Sequence, residues 1–277
     1  MDNISKEVLN YSKKIINGSA THTFSKTFEK NKSSRCIEIP WAASKIFEYG
    51  STNILDIGFS LASLDYLGLL LELKKNFNKR IDAVDIIDPK RLEKRYPHHW
   101  LKDIYSIPIY IGDVRKTKLP ENSYDMVTCI SVIEHVGYDM PSENSKDSVF
   151  IRAKKIKELN KHRDSDTNKR VLNKIFNCLK DNGILLLTVP MGKGGPVVLQ
   201  DSLGYYCIQW EYENDSWQEI TKHPGFDLIE QYFFKLTPVF EWVQVENVKD
   251  LNGQNACFKS HSNGCALAVL QKKSNII

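Results

Sequence analysis

No apolar run in the 277-residue sequence approaches the ~20 residues that a membrane-spanning helix needs. The opening Met-Asp-Asn-Ile-Ser-Lys-Glu carries acids where a secretory leader would have an apolar core, so a cytoplasmic chain is expected. The six cysteines (36, 129, 178, 207, 257 and 265) contain no Cys-x-x-Cys pair, and Cys129 and Cys178 sit in apolar segments. Buried, reduced thiols are expected rather than a disulfide framework. His98 and His99 are adjacent, but no third histidine or carboxylate stands at ligand spacing, which favours loop histidines over a metal site. A net charge of +4 is too mild to imply nucleic acid by itself. There is no Asn/Asp-Pro-Pro-Tyr base-flipping motif, no RNA-binding module, no internal repeat and no low-complexity tract. The three-glycine signature of a dinucleotide fold is missing as well: after Gly58, serines stand at 60 and 63.

What the sequence does have is Asn53-Ile-Leu-Asp-Ile-Gly-Phe-Ser60. Ile54, Leu55 and Ile57 form a short apolar run, Asp56 interrupts it, and Gly58 ends it. Residues 61–77 then read as a helix, with Leu64, Leu67, Leu70 and Leu71 at helical spacing. Strand, glycine turn and helix open a doubly wound nucleotide-binding sheet, and the helix N-terminus offers free N–H groups to an anion. The run 80–88 predicts a second strand ending in Asp85, 27 positions after Gly58 and suited to gripping ribose hydroxyls. Asp82 and Asp88 compete for that role, but Asp85 closes the apolar run. Further strands are predicted over 107–112, 124–130 and 183–189, with closing strands over 226–235 and 264–271. The continuous apolar character of 124–130 is that of a buried parallel strand. The expected architecture is therefore α/β, a doubly wound, mostly parallel, seven-stranded sheet.

The flanks are less regular. Residues 1–50 read as an N-terminal helical segment, an arm or flap, with helices near 6–16 and 42–49. Trp41 packs under the sheet edge, or else Glu38 and Trp41 line the ligand pocket from outside the core fold. Residues 51–277 are expected to form the main domain. Between Lys146 and Lys180 eleven basic residues face four acids, either a solvated helical face or a site for an anionic substrate. Helices are predicted over 148–159 and 167–179, with Asp181-Asn-Gly183 ending the second. Residues 190–224 combine glycines with Tyr205, Tyr206, Trp210, Tyr212 and Trp217, which suggests a cap over a small-molecule pocket or simple packing.

Taken together, these segments resemble class I S-adenosylmethionine-dependent methyltransferases. Ile54-Leu-Asp-Ile-Gly58 is similar to the family's first motif and Ala83-Val-Asp85 to its second. Gly112-Asp113-Val114 is similar to its adenine-binding turn, and 124–130 with Ser131-Val-Ile-Glu-His-Val136 to its fourth strand and the segment after it. Leu179-Lys-Asp-Asn-Gly-Ile-Leu-Leu-Leu187 matches the next helix, turn and strand. The likeness covers roughly 50–190, in order. Glu134-His-Val-Gly137 and Val189-Pro-Met-Gly192 most resemble small-molecule and glycan methyltransferases. Phe59-Ser60 departs from the family where a second glycine is usual.

The resemblance implies a Rossmann-like methyltransferase fold and S-adenosylmethionine as cofactor. It implies that Asp56 and the backbone of Gly58, Phe59 and Ser60 hold the methionine part. Asp85 would accept from the ribose with Ile86 against the adenine, Asp113 and Val114 would meet the adenine edge, and Ser131 would approach the methyl. The cofactor has no pyrophosphate, which accords with the missing third glycine. A hydroxyl acceptor also needs its proton removed, and His135 just past the fourth strand is the candidate base. Local hydrogen bonding, or simply lining the cofactor site, is the alternative for that residue. The expected partner is a small-molecule acceptor, anionic or sugar-containing. An RNA methyltransferase and a non-catalytic partner subunit of the same fold are the other readings.

Overall fold

The strand predicted at Asn53 lies inside the sheet, third of eight strands, and is buried accordingly. In the computed structural model β1 (Asn53–Ile57) is buried from its second residue onward. The structure describes residues 1–26, 28, 33–138, 163–200, 206–251 and 263–274. Parallel neighbours flank β1: β2 (Arg80–Asp85) on one side, with β3 (Ile109–Ile111) beyond it, and β4 (Tyr124–Ile130) on the other, followed by β5 (Leu179–Pro190). A two-stranded antiparallel ribbon, β6 (Gly195–Gln200) and β7 (Tyr206–Glu211), leaves the end of β5. The chain then returns to the main sheet through β8 (Phe226–Leu236), β9 (Trp242–Val245) and β10 (Gly264–Lys272). The order across the sheet is β3-β2-β1-β4-β5-β10-β8-β9. β10 runs antiparallel to both β5 and β8, and β9 runs antiparallel to β8. The eighth strand, β9, was not expected: Trp242-Val-Gln-Val245 is too short to stand out by period alone.

Helices cover both faces. α1 (Asn3–Ile16), α2 (Arg35–Glu48) and α3 (Leu64–Asn76) lie on one side, where Val8, Ile39, Trp41, Ile54 and Leu67 share one apolar cluster. α5 (Thr167–Cys178) and α6 (Asn214–Thr221) lie on the other, with Leu55, Val127, Leu185 and Trp217. Alternation along each strand feeds the two clusters, so Ile54 and Leu55 point to opposite faces. A short helix, α4 (Leu101–Tyr105), precedes β3.

Several local expectations change. α2 begins at Arg35, well before the expected residue 42, with Pro40 inside it; residues 36–43 are all buried, and that burial outweighs the proline's lost donor. Helices α1 and α2 pack into the core rather than standing off as an arm. Trp41 is fully buried in that core. Asp181-Asn-Gly183 does not end a helix, because α5 stops at Cys178 and these residues lie inside β5, beside a register shift against β4. Tyr212 and Trp217 are core residues, buried to 0% and 1% exposure. The helix expected over 148–159 and Tyr205 fall outside the described residues, as do six of the eleven basic residues between 146 and 180. Among the described residues no helix is long and apolar enough to cross a membrane.

Candidate active site

The carboxyl ends of β1, β2, β3 and β4 meet on one edge of the sheet, the place where open α/β sheets bind ligands. Gly58 turns the chain there with φ +87°. A Cβ at this position would lie 2.5 Å from Cγ2 of Val132, in the segment after β4. Glycine is therefore required twice over, by the left-handed backbone and by this close approach. The following residues, Phe59–Leu61, form a 3₁₀ turn in which Phe59 and Ser60 are fully buried.

Ser60 is locked to β2 and its loop. Its N–H donates to Asp85 Oδ2 at 2.8 Å, its hydroxyl donates to the Ile87 carbonyl at 2.7 Å, and its carbonyl accepts from the Tyr96 hydroxyl at 2.7 Å. Asp85 accepts a second backbone N–H from Ile87 at 2.9 Å. Burial holds its carboxyl above the usual range, although these N–H groups oppose the shift. The two competitors are occupied elsewhere. Asp82 accepts from Tyr124 and Arg80, and Asp88 caps the turn at Lys90.

Ile86 and Ile111, past the end of β2 and at the end of β3, are about half exposed at 49% and 50%. Two such aliphatic side chains on neighbouring strand ends offer an apolar seat for a flat ring. Asp113 lies two residues beyond Ile111. In spite of partial burial, its hydrogen bonds with Arg115 hold its carboxyl below the usual range. Val114 is buried beside it.

Asp56 stands apart from these groups. It is completely buried, and its Oδ1 accepts from Tyr66 of α3 and Thr128 of β4, both at 2.8 Å. Its Oδ2 has no partner, and burial pushes the carboxyl up to about 7. The side chain ties α3 to β4 from within and does not reach the surface.

Beyond β4 the chain turns sharply. Ser131 has φ +51°, a strained value for a side-chain-bearing residue, and its N–H donates to the Thr188 carbonyl and hydroxyl. Its own hydroxyl donates to Glu38 Oε1 at 2.7 Å, and Thr188 Oγ1 donates to the same oxygen at 2.7 Å. Glu38 Oε2 accepts from Ser34 and from Arg35, whose Nη1 also reaches the Ile130 carbonyl. The first turn of α2 thus grips the ends of β4 and β5. Glu38 was one sequence alternative for this site; Arg35 was not foreseen, and its spacing three residues before Glu38 on a helix was the available signal.

Ile133–His135 form a second 3₁₀ turn. Glu134 is 1% exposed, its Oε2 is unpartnered, and burial pushes its carboxyl up to about 8. His135 is 39% exposed, with Nε2 3.9 Å from Glu134 Oε1. Arg163 reaches this turn from the start of α5 and was also missed. Among the described residues no group of three or more His, Cys, Asp or Glu side chains is arranged to hold a metal ion.

A strand-end turn built on Gly58, an acid with spare lone pairs at Asp85 and an apolar seat at Ile86 and Ile111 suit a ligand with a ribose and a flat base. S-adenosylmethionine has both. In sequence, residues 66–187 match the model of the "Methyltransferase domain" family. No curated protein sequence matches the chain. Among solved structures, the chain is similar to an S-adenosylmethionine-dependent methyltransferase from Methanosarcina mazei (13% identity, 80% of this chain and 92% of that one, TM-score 0.49). It is also similar to 1,6-didemethyltoxoflavin-N1-methyltransferase from Burkholderia thailandensis, solved with 1,6-didemethyltoxoflavin and S-adenosylhomocysteine (11% identity, 99% and 92%, TM-score 0.48). A third is the N-methyltransferase NodS from Bradyrhizobium japonicum WM9, in complex with S-adenosylhomocysteine (11% identity, 99% and 100%, TM-score 0.41).

Proposed function

We propose that this chain transfers a methyl group from S-adenosylmethionine to a hydroxyl of a small molecule, a sugar or glycan precursor being the acceptor class that the Glu134-His-Val-Gly137 likeness favours. The observation that carries the reading is the placement of His135, partly exposed on the turn after β4, beside the strand ends that would hold the cofactor. Asp85 would hold the ribose, Ile86 and Ile111 the adenine face, and Asp113 and Val114 its edge. The Phe59–Ser60 backbone and the Glu38–Ser131 pair would stand beside the methionine end. Bound there, S-adenosylmethionine supplies an electrophilic methyl group. His135 would take the acceptor's hydroxyl proton on an imidazole nitrogen as the acceptor oxygen takes the methyl, the pair of the methyl–sulfur bond staying on sulfur in the S-adenosylhomocysteine released. The aromatic ribbon after β5 would bound the acceptor side, with Trp210 as its half-buried member.

Two measurements test this. Asp85→Ala should weaken S-adenosylhomocysteine binding by about ten- to hundredfold in calorimetry, the cost of hydrogen bonds lost to a buried carboxylate. Unchanged affinity would show that Asp85 is not the ribose acid. In a screen of sugar and nucleotide-sugar acceptors with labelled cofactor, kcat should rise with pH across the range in which imidazoles lose their proton. His135→Ala should lose about 10²–10⁴-fold in kcat with cofactor affinity intact. A flat profile and a small loss would remove His135 from the chemistry.

A further inference from the structure

We propose that Arg163 is a positioning residue for methyl transfer. Its guanidinium clamps the turn that carries His135 to the root of the β6–β7 ribbon, and so fixes where the imidazole stands. The inference rests on the reading of His135 as the base. Nη1 of Arg163 donates to the carbonyls of Ile133 at 2.9 Å, Glu134 at 3.4 Å and Val136 at 2.6 Å. Ile133 and Glu134 lie in the 3₁₀ turn and Val136 follows it as its cap, so one guanidinium nitrogen spans the turn and its exit; the Ile133 carbonyl also accepts from the Val136 N–H at 3.2 Å. Nη2 donates to Asn168 Oδ1 of α5 at 2.8 Å and to the Tyr212 hydroxyl at 2.9 Å. The Tyr212 hydroxyl in turn donates to Asn168 Oδ1 at 2.9 Å, closing a three-membered ring of polar groups.

The flat face of the guanidinium is used as well. It lies 5.6 Å from the Tyr138 ring, 5.5 Å from Trp210 and 6.0 Å from Tyr212. Tyr212 pairs with the end of β5, since its N–H donates to the Pro190 carbonyl and its carbonyl accepts from Gly192. One side chain therefore ties together the turn after β4, the first turn of α5 and the strand that ends the ribbon. Only arginine offers a rigid fork of donors and a stacking face at once; lysine would supply one mobile point charge. His135 sits in the middle of the gripped carbonyls, so release of the clamp frees the imidazole before it disturbs the cofactor side at Asp85 and Ile86.

The test compares wild type with Arg163→Ala and Arg163→Lys. It reads hydrogen exchange of the amides of residues 131–138, S-adenosylhomocysteine affinity, and kcat with KM for an acceptor found by the screen. The clamp predicts faster exchange confined to 131–138 and the ribbon root. It predicts a kcat loss of about 10²-fold, the scale of a group misplaced by about an ångström, while cofactor affinity moves less than about threefold. Guanidinium ion added to Arg163→Ala should restore part of kcat, and should restore none in His135→Ala. Unchanged exchange in both variants, or a kcat loss with no rescue and equal loss of cofactor affinity, overturns the proposal. If Arg163→Ala does not fold, Arg163→Lys decides: wild-type exchange and kcat in that variant overturn it equally. If wild type transfers no methyl while exchange responds as stated, the clamp holds and the His135 reading fails, so the two failures are separable.

Discussion

Asp56 and Glu134 each bury one carboxyl oxygen without a partner, and among the described residues no Lys or Arg is in hydrogen-bonding contact with either. Desolvation raises both, to about 7 and about 8, from ordinary values of 3.8 and 4.5. The sign of the consequence is fixed. The folded protein keeps these protons in a range where the unfolded chain has released them, so the stability they contribute is complete below about pH 4. It is lost as the pH climbs through 7 to 8. In thermal melts from pH 5 to pH 8 these two acids should lower Tm as the pH rises. Asp56→Asn and Glu134→Gln, which cannot ionise, should each flatten that slope. Variants with the wild-type slope would show that the two acids are ionised in the fold. The same residues mark a limit of sequence reading. Asp56 looks like a ligand for the methionine ammonium because it interrupts an apolar strand, yet its partners Tyr66 and Thr128 lie 10 and 72 positions away and turn it inward.

The turn between β1 and α3 was legible because three local signals agree: a short apolar run, a glycine, and a helical period after it. What was not legible is what the turn packs against. Gly58 faces Val132 across 74 positions, and Glu38 meets Ser131 and Thr188 across 93 and 150. Contacts of that separation leave no periodic trace. β9 and the residues 180–183 were missed for a different reason, because a four-residue strand and a bulge look like loop and helix stop in one dimension. The Gly58 contact gives a prediction at this scale. Gly58→Ala should destabilise the protein by about 2–4 kcal/mol, combining a left-handed alanine with an overpacked site. Val132→Ala removes the clashing methyls, so the double variant should recover the overpacking part and keep the backbone part. Denaturant melts of the four proteins measure it; strictly additive losses would show that Val132 is not the obstacle.

The molecule as a whole is a sheet that can be covered only by helices from both ends of the sequence. Its parallel strands are buried on both faces, and on one of them the cover is α1, α2 and α3, with Ile39, Trp41 and Ile46 almost wholly enclosed. Polar links reinforce that cover. Lys45 Nζ of α2 donates to Glu230 of β8 at 2.7 Å, and Glu38 joins α2 to β4 and β5. The first fifty residues are thus structural to the sheet as well as neighbours of the site. A chain beginning at Ser51 would expose the β4–β5–β10 face and leave Ser131 and Thr188 without their carboxylate. Loss of a single large core side chain costs about 3–5 kcal/mol; loss of α1 and α2 removes many at once, far more than the ~5–15 kcal/mol total stability of a typical domain. The shortened chain should be recovered insoluble or without a cooperative melt, whereas the full chain should unfold in one transition with the N-terminal helices protected from hydrogen exchange as strongly as β1. A soluble 51–277 chain with the near-ultraviolet circular dichroism of the full protein would show that the N-terminal helices are an appendage to a sheet that folds without them.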